Sequence, residues 1–310
     1  MANIEKGFLL YIKGMAMGAA DVVPGVSGGT IAFLTGIYEE LISSIKSVGP
    51  KSIRVLFSQG PAAFWADING NFLLILMLGI ITSVASLARG ITFLISAYPT
   101  LLWSFFFGLI LMSSLSMAKQ IKQWCLKNLM SLLMGIVSAY LITTLNPSKI
   151  DPTAISFFFA GALAICAMIL PGISGSFILL LMGMYNYVIE AINEFDIRTL
   201  MIFATGCITG LILFSRFISL LLVRYHEATM TLLMGFMLGS LNKIWPWKHT
   251  LILGTDGKGV DFPIMQENLT PFQYVEIVGQ DHQLGYSLIM ASLGMLFVWV
   301  IELTARSKVH

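Results

Sequence analysis

Arg89 and Arg216 are the two arginines that lie deep inside apolar stretches of this chain. A guanidinium in a hydrocarbon setting costs at least about 2.5 kcal/mol on insertion scales, so each needs a partner or a task. Its planar fork matches the oxygens of a phosphate, which makes anion binding the chemistry that fits; a fixed ion pair or a cap on backbone carbonyls is the structural alternative. A second pair of features stands beside them. Val23-Pro24-Gly25-Val26-Ser27-Gly28-Gly29 is matched, 147 positions on, by Leu170-Pro171-Gly172-Ile173-Ser174-Gly175-Ser176. Pro24-Gly25 and Pro171-Gly172 break a helix, and the serine after each can start another whose first amides are uncovered. Such amides attract anions, so Ser27, Gly28, Gly29 and Thr30 in one copy, and Ser174, Gly175 and Ser176 in the other, join the arginines as phosphate-binding positions. The competing reading is close packing of small residues between membrane helices.

The acids offer a different chemistry. Asp21 precedes the first motif, where the second has Met168. It could titrate and couple movement to protons, or pair with Arg89 in the empty state. Glu39, Glu40 and Glu190 fit hairpin ends at the water interface, with binding of a coupling ion, proton or sodium, as the other reading for Glu39 and Glu190. No catalytic set or cofactor site emerges. His226, His249, His282 and His310 fall in loops or at the terminus, and Cys125, Cys166 and Cys207 lack metal-ligand spacing, so no metal is expected.

The elements that must position these residues follow from composition. Hydrophobic residues make up 57% of the chain, charged residues 11%, and the mean hydropathy is +0.85, which excludes an ordinary soluble domain. Period-two alternation is absent, which excludes a transmembrane barrel. A net charge of +2 with dispersed basic residues gives no footprint for nucleic acid. Lys6 and Lys13 interrupt the first apolar stretch, and no clean cleavable leader is visible. The expected fold is an all-α polytopic membrane protein of two inverted-topology repeats, each a re-entrant helical hairpin followed by three transmembrane helices. The first repeat, residues 1–150, has its hairpin at about 8–45 and spans at about 72–97, 101–118 and 128–146. The second, 151–310, has its hairpin at about 154–192, spans at about 199–223, 228–244 and 285–304, and an outside loop at 245–284.

Gly14–Ile45 and Gly161–Ile192 share twelve identities in thirty-two positions, Gly36/Gly183 and Tyr38/Tyr185 among them. Further on, an offset of 127 pairs Gly79 with Gly206, Arg89 with Arg216 and Gly108 with Gly235. Three spans after a hairpin is an odd number, so the second half should be upside down. With that parity eleven lysines and arginines fall on the side of both termini and five on the other, which makes the termini cytoplasmic. The linker Lys46–Asn71 could carry a short surface helix. If each hairpin arm runs straight from its serine to the surface, about 20 to 24 Å, its tip passes the midplane of a core about 30 Å thick. Each arginine then sits level with the turn of its own half.

The stretch Gly18-Ala19-Ala20-Asp21-Val22-Val23-Pro24-Gly25-Val26-Ser27-Gly28-Gly29-Thr30, with the second motif and the two arginines, resembles the bacterial polyprenyl-phosphate transporter family over nearly the whole chain. The resemblance implies translocation of undecaprenyl phosphate from the outer to the inner leaflet of the cytoplasmic membrane, with that lipid and membrane lipid as partners, no enzymatic step and no cofactor. A phosphate on a long isoprenoid needs an anion site near mid-membrane while its tail stays in lipid. Phe105, Phe106 and Phe107 could flank a lateral opening, or simply pack or face lipid. A carrier or channel for a small soluble anion, and an integral enzyme acting on a lipid phosphate, stay open as alternatives, as does homo-oligomerisation.

Overall fold

A computed structural model describes residues 2–23, 25–148, 150–255 and 261–306. Pro24, Lys149, Lys258, Lys308 and His310 therefore lie outside the described residues, and with them the helix break expected at Pro24. The first half begins with α1 (Ala2–Asp21), α2 (Gly28–Leu34) and α3 (Tyr38–Ser47). Two short helices, α4 (Pro50–Gln59) and α5 (Pro61–Asp67), fill the polar linker. Three long helices follow: α6 (Gly70–Ala97), α7 (Pro99–Ala118) and α8 (Leu126–Thr144). The second half repeats the order with α9 (Ala154–Ile169), α10 (Gly175–Leu181), α11 (Tyr185–Asn193), α12 (Ile197–Arg224), α13 (His226–Ser240) and α15 (Leu284–Arg306). Before α15 stand an antiparallel pair, β1 (Lys248–Thr255) and β2 (Asp261–Asn268), and the short α14 (Pro271–Val278). The chain is a multi-pass helical membrane protein: α6, α7, α8, α12 and α15 are long and apolar enough to cross a bilayer.

Four glycine crossings tie the bundle together, and all four have one geometry. A Cβ on Gly14 would strike the carbonyl of Leu76, three residues before Gly79, and a Cβ on Gly79 would strike that of Tyr11, three before Gly14. The same reciprocity joins Gly161 with Gly206 (Phe203 and Phe158), Gly108 with Gly294 (Ala291 and Phe105), and Gly135 with Gly235 (Leu232 and Leu132). Because Cβ tilts toward the helix N-terminus, each residue reaches back along its partner only when both helices run the same way. So α1 is parallel to α6, α9 to α12, α7 to α15 and α8 to α13. Small residues permit this backbone approach where lipid supplies no hydrophobic drive for helix association.

Two consequences follow. Since α1 and α6 run in the same direction, the chain between them must turn back; the same holds between α9 and α12. And the halves exchange partners, because α7 and α8 of the first half pack on α15 and α13 of the second. The return arms are not the straight rods of about 20 to 24 Å expected above. α2 and α10 have seven residues each, about 10 Å of helix, and α10 meets α11 at a bend of 111°. The cause is a glycine in the left-handed region, Gly36 (φ 70°) and Gly183 (φ 67°). The amides of Gly36 and Ile37 bond back to Phe33 and Ala32, and those of Gly183 and Met184 to Leu180 and Leu179, which is a glycine-terminated helix end in both halves.

Candidate functional site

The two broken turns meet inside the bundle, and they are joined through each other's backbone. Ser27 donates its hydroxyl to the carbonyl of Met168 at 2.7 Å and accepts from the amide of Gly29 at 3.0 Å. Thr30 accepts from the amide of Gly172 at 2.9 Å. Ser27 and Thr30 are fully buried, with Val23, Val26, Ile110, Leu233 and Met237 around the junction. At the first turn Asp21 accepts from the amide of Gly28 at 2.7 Å, so the carboxylate caps α2 from the end of α1. The first turn's amides are thus closed by Asp21 and Ser27. The second turn differs, since Met168 stands where Asp21 would be: Ser174 makes no capping bond and its hydroxyl lies 2.8 Å from that of Ser176. Lys13, on α1, donates to the carbonyl of Thr35 at 2.7 Å, satisfying the end of α2.

Helix register fixes the height of the arginines. Gly14 faces Gly79 and Gly18 faces Ser83, so the same step matches the end of α1 at Asp21 with Ser86 and places Arg89 about one turn beyond that end. In the second half Phe158 faces Gly206, Ala162 faces Gly210 and Gly161 faces Cys207, which brings Arg216 level with residues 168–170, just before Pro171. Both side chains are exposed on their helices, and among the described residues neither hydrogen bonds to a Ser-Gly turn. The Arg216 guanidinium lies against Gly49, in the bend between α3 and α4.

Around Arg216 the first half's hairpin is packed on the second half. α3 lies on α12, Lys46 donates to Ser219 at 3.0 Å, and Glu39 sits 2.9 Å from His226 at the start of α13. Glu39 is therefore engaged, while Glu190 is exposed on α11. The equivalent of α3 on α12 would be α11 on α6, and no such packed face exists among the described residues.

At the far end of α8 and α13 a cavity of about 230 Å³ opens beneath the β1–β2 pair. Its basic groups are Lys243 and Lys248, which enter the charge count above only as two of the five basic residues on the side opposite the termini. The visible signal was their placement on either side of Trp245-Pro246-Trp247, directly after an apolar helix.

Apolar helices long enough to cross a bilayer, with two hairpins joined at their turns by buried hydrogen bonds, define a polytopic membrane protein. Residues 17–261 match the VCA0040-like family, described as undecaprenyl phosphate translocase-like, and the chain belongs to that family. It is 50% identical over 292 residues, 94% of this chain and 95% of the relative, to the polyprenyl-phosphate transporter of Vibrio cholerae serotype O1. To the polyprenyl-phosphate transporter of Staphylococcus aureus it is 34% identical over 263 residues, covering 78% of this chain and 87% of that one. No solved structure matches it.

Proposed function

We propose that this protein carries undecaprenyl phosphate from the outer to the inner leaflet of the bacterial cytoplasmic membrane, chemically unchanged, by alternating access between two inverted halves. The relatives' names support the substrate class. Three crossings, α6, α7 and α8, separate the hairpins, and an odd number turns the second half over. Both termini then lie in the cytoplasm, and the α3–α12 face closes the cytoplasmic side.

The observation that carries this reading is the unequal packing of equivalent elements. The pair α1–α6 is matched by α9–α12, and α7–α15 by α13–α8, yet α3 is seated on α12 while α11 is not seated on α6. A chain with matched halves and one closed side has a second arrangement within reach, in which the roles are exchanged. In it the phosphate passes from the level of Arg89 and the first turn to that of Arg216 and the second, whose amides at Gly175 and Ser176 lack a side-chain cap. Ser27 and Thr30 take part once their bonds to Met168 and Gly172 are released. Asp21, which must let go of Gly28 if the first turn is to offer its amides, is the group we assign to proton coupling.

Uptake of labelled undecaprenyl phosphate by proteoliposomes tests this, with the lipid recovered and its phosphate assayed. Transport of intact lipid that is lost in folded Arg89→Ala and Arg216→Ala supports the relay. A folded sample that moves no lipid under proton or sodium gradients, but does move a soluble anion, would replace it.

A further inference from the structure

We propose that Lys243 and Lys248 form an outward-facing receptor for a phosphate monoester, in which the head group docks before it reaches the arginines. For the lipid nature of its ligand this rests on the function proposed above. The lysines come from different elements and converge. Lys243 follows α13; its stem lies 3.3 Å from where a Cβ on Gly25 would stand, at the first hairpin tip, and its ammonium lies 4.5 Å from the ring centre of Phe177 on α10. Lys248 opens β1; its ammonium stands 3.8 Å from the ring centre of Trp103 on α7 and donates to the Lys243 carbonyl. One cation thus touches both hairpins, and the other rests on the first half.

The polar surroundings are neutral amides: the Asn268 side chain donates to Asn242, that of Asn242 to Thr143, and that of Gln266 to Thr250. In the β1–β2 register Lys248 is opposite Asn268 and Gln266 is opposite Thr250, and Lys248, Asn268 and Gln266 line the cavity; the intervening pair, His249 and Glu267, alternates to the opposite face. The pairing therefore turns two amide side chains inward and the acid outward. Asn242 completes the lining. Among the described residues no carboxylate pairs with either lysine. Burial holds both ammonium groups below the ordinary lysine range, and for Lys248 the neighbouring Lys243 charge adds to it. Two like charges held half-buried on aromatic faces, among neutral amides and with no acid paired to them, are arranged for an arriving anion. The cavity of about 230 Å³ is smaller than the roughly 300–1,000 Å³ that encloses a drug-sized ligand, so it suits a head group whose tail remains outside.

The test uses the full chain in nanodiscs, titrated separately with a short-chain polyprenyl monophosphate and with inorganic phosphate. Trp103, Trp245 and Trp247 supply the fluorescence signal. The expected result is saturable binding of the prenyl phosphate that weakens at least tenfold in Lys243→Gln/Lys248→Gln but not in Lys127→Gln. In the unsubstituted chain the ligand should also protect both lysines from a membrane-impermeant acylating reagent, a readout independent of any variant's folding. Binding of the prenyl phosphate with no protection of either lysine overturns the receptor. Lysine-dependent binding of inorganic phosphate alone keeps the site and removes the lipid reading. Binding of neither ligand removes both.

Discussion

The hydroxyl of Ser27 ends on the backbone carbonyl of Met168, so a residue of the first hairpin is fastened to the main chain of the second. The same oxygen accepts from Gly29, which uses both its donor and an acceptor position in one buried group. With Thr30 accepting from Gly172, the halves are clasped at their tips by neutral hydrogen bonds. Neutral bonds to backbone can be exchanged for others during a rocking movement without stranding a charge in a dry interior.

Removing this clasp should loosen the protein measurably. Ser27→Ala loses an N-cap as well as the inter-hairpin bond and should cost about 0.5–2 kcal/mol. Thr30→Val keeps the shape but leaves the Gly172 amide unpaired, costing about 1–3 kcal/mol. Because both act on one junction, the double variant should fall short of the sum. Thermal unfolding in detergent measures all three; full additivity would mean that the two bonds act independently.

The glycine crossings predict a sharp contrast along α6. Gly79→Ala drives a methyl into the Tyr11 carbonyl on the parallel α1 and should destabilise by about 1–3 kcal/mol. Gly90→Ala, eleven residues further on the same helix, meets nothing within 4 Å and should gain about 0.5–1 kcal/mol from helix propensity. Melting curves that rank these two the other way would disprove the packing described.

The contact between Glu39 and His226 gives a handle on the closed side. Cysteines at these two positions, joined by a short bifunctional reagent, should arrest lipid uptake, and a cleavable reagent should restore it on cleavage. Unimpaired uptake with the link in place would show that this face need not open.

Asp21 separates structure from coupling when two substitutions are compared. Asp21→Asn can still accept from the Gly28 amide and should fold normally, while transport loses its dependence on a proton gradient. Asp21→Ala uncovers that amide and should lower stability by about 1–3 kcal/mol as well. Gradient-driven uptake persisting in Asp21→Asn would assign coupling elsewhere.

The lysines of the outer cavity predict a pH slope. Their folded-state pKa values lie below those of the unfolded chain, so the unfolded chain binds more protons between the two and stability rises with pH across that interval. Binding of a phosphate requires the charged forms and should flatten the slope. Unfolding measured at neutral and mildly alkaline pH, with and without the prenyl phosphate, reads both effects.

Much of this arrangement was legible from residue types. Pro171-Gly172 and Ser27-Gly28 announced two breaks, and the repeat offset that ties Arg89 to Arg216 also ties Gly79 to Gly206, which stand at equivalent crossings with α1 and α9. The bend of the return arms was visible only as an identity, Gly36 with Gly183; that each is a left-handed helix stop depends on φ, which spacing does not reveal. Lys243 and Lys248 escaped notice because their convergence is made by a hairpin loop, Phe177 and Trp103, three places far apart in sequence. The capping of Gly28 by Asp21 was hidden likewise, since an acid beside a break gives no sign of whether it faces an amide, an arginine or water.

The exchange of partners between halves also has a consequence in time. α7 leaves the ribosome long before α15, the helix against which its glycine face closes, and α8 must wait in the same way for α13. During synthesis the first half therefore sits in the bilayer with two faces, centred on Gly108 and Gly135, open to lipid or to whatever insertion factor shields them. A chain stopped short of α15 would leave Gly108 unmatched, and membrane quality control would meet it as an orphaned helix.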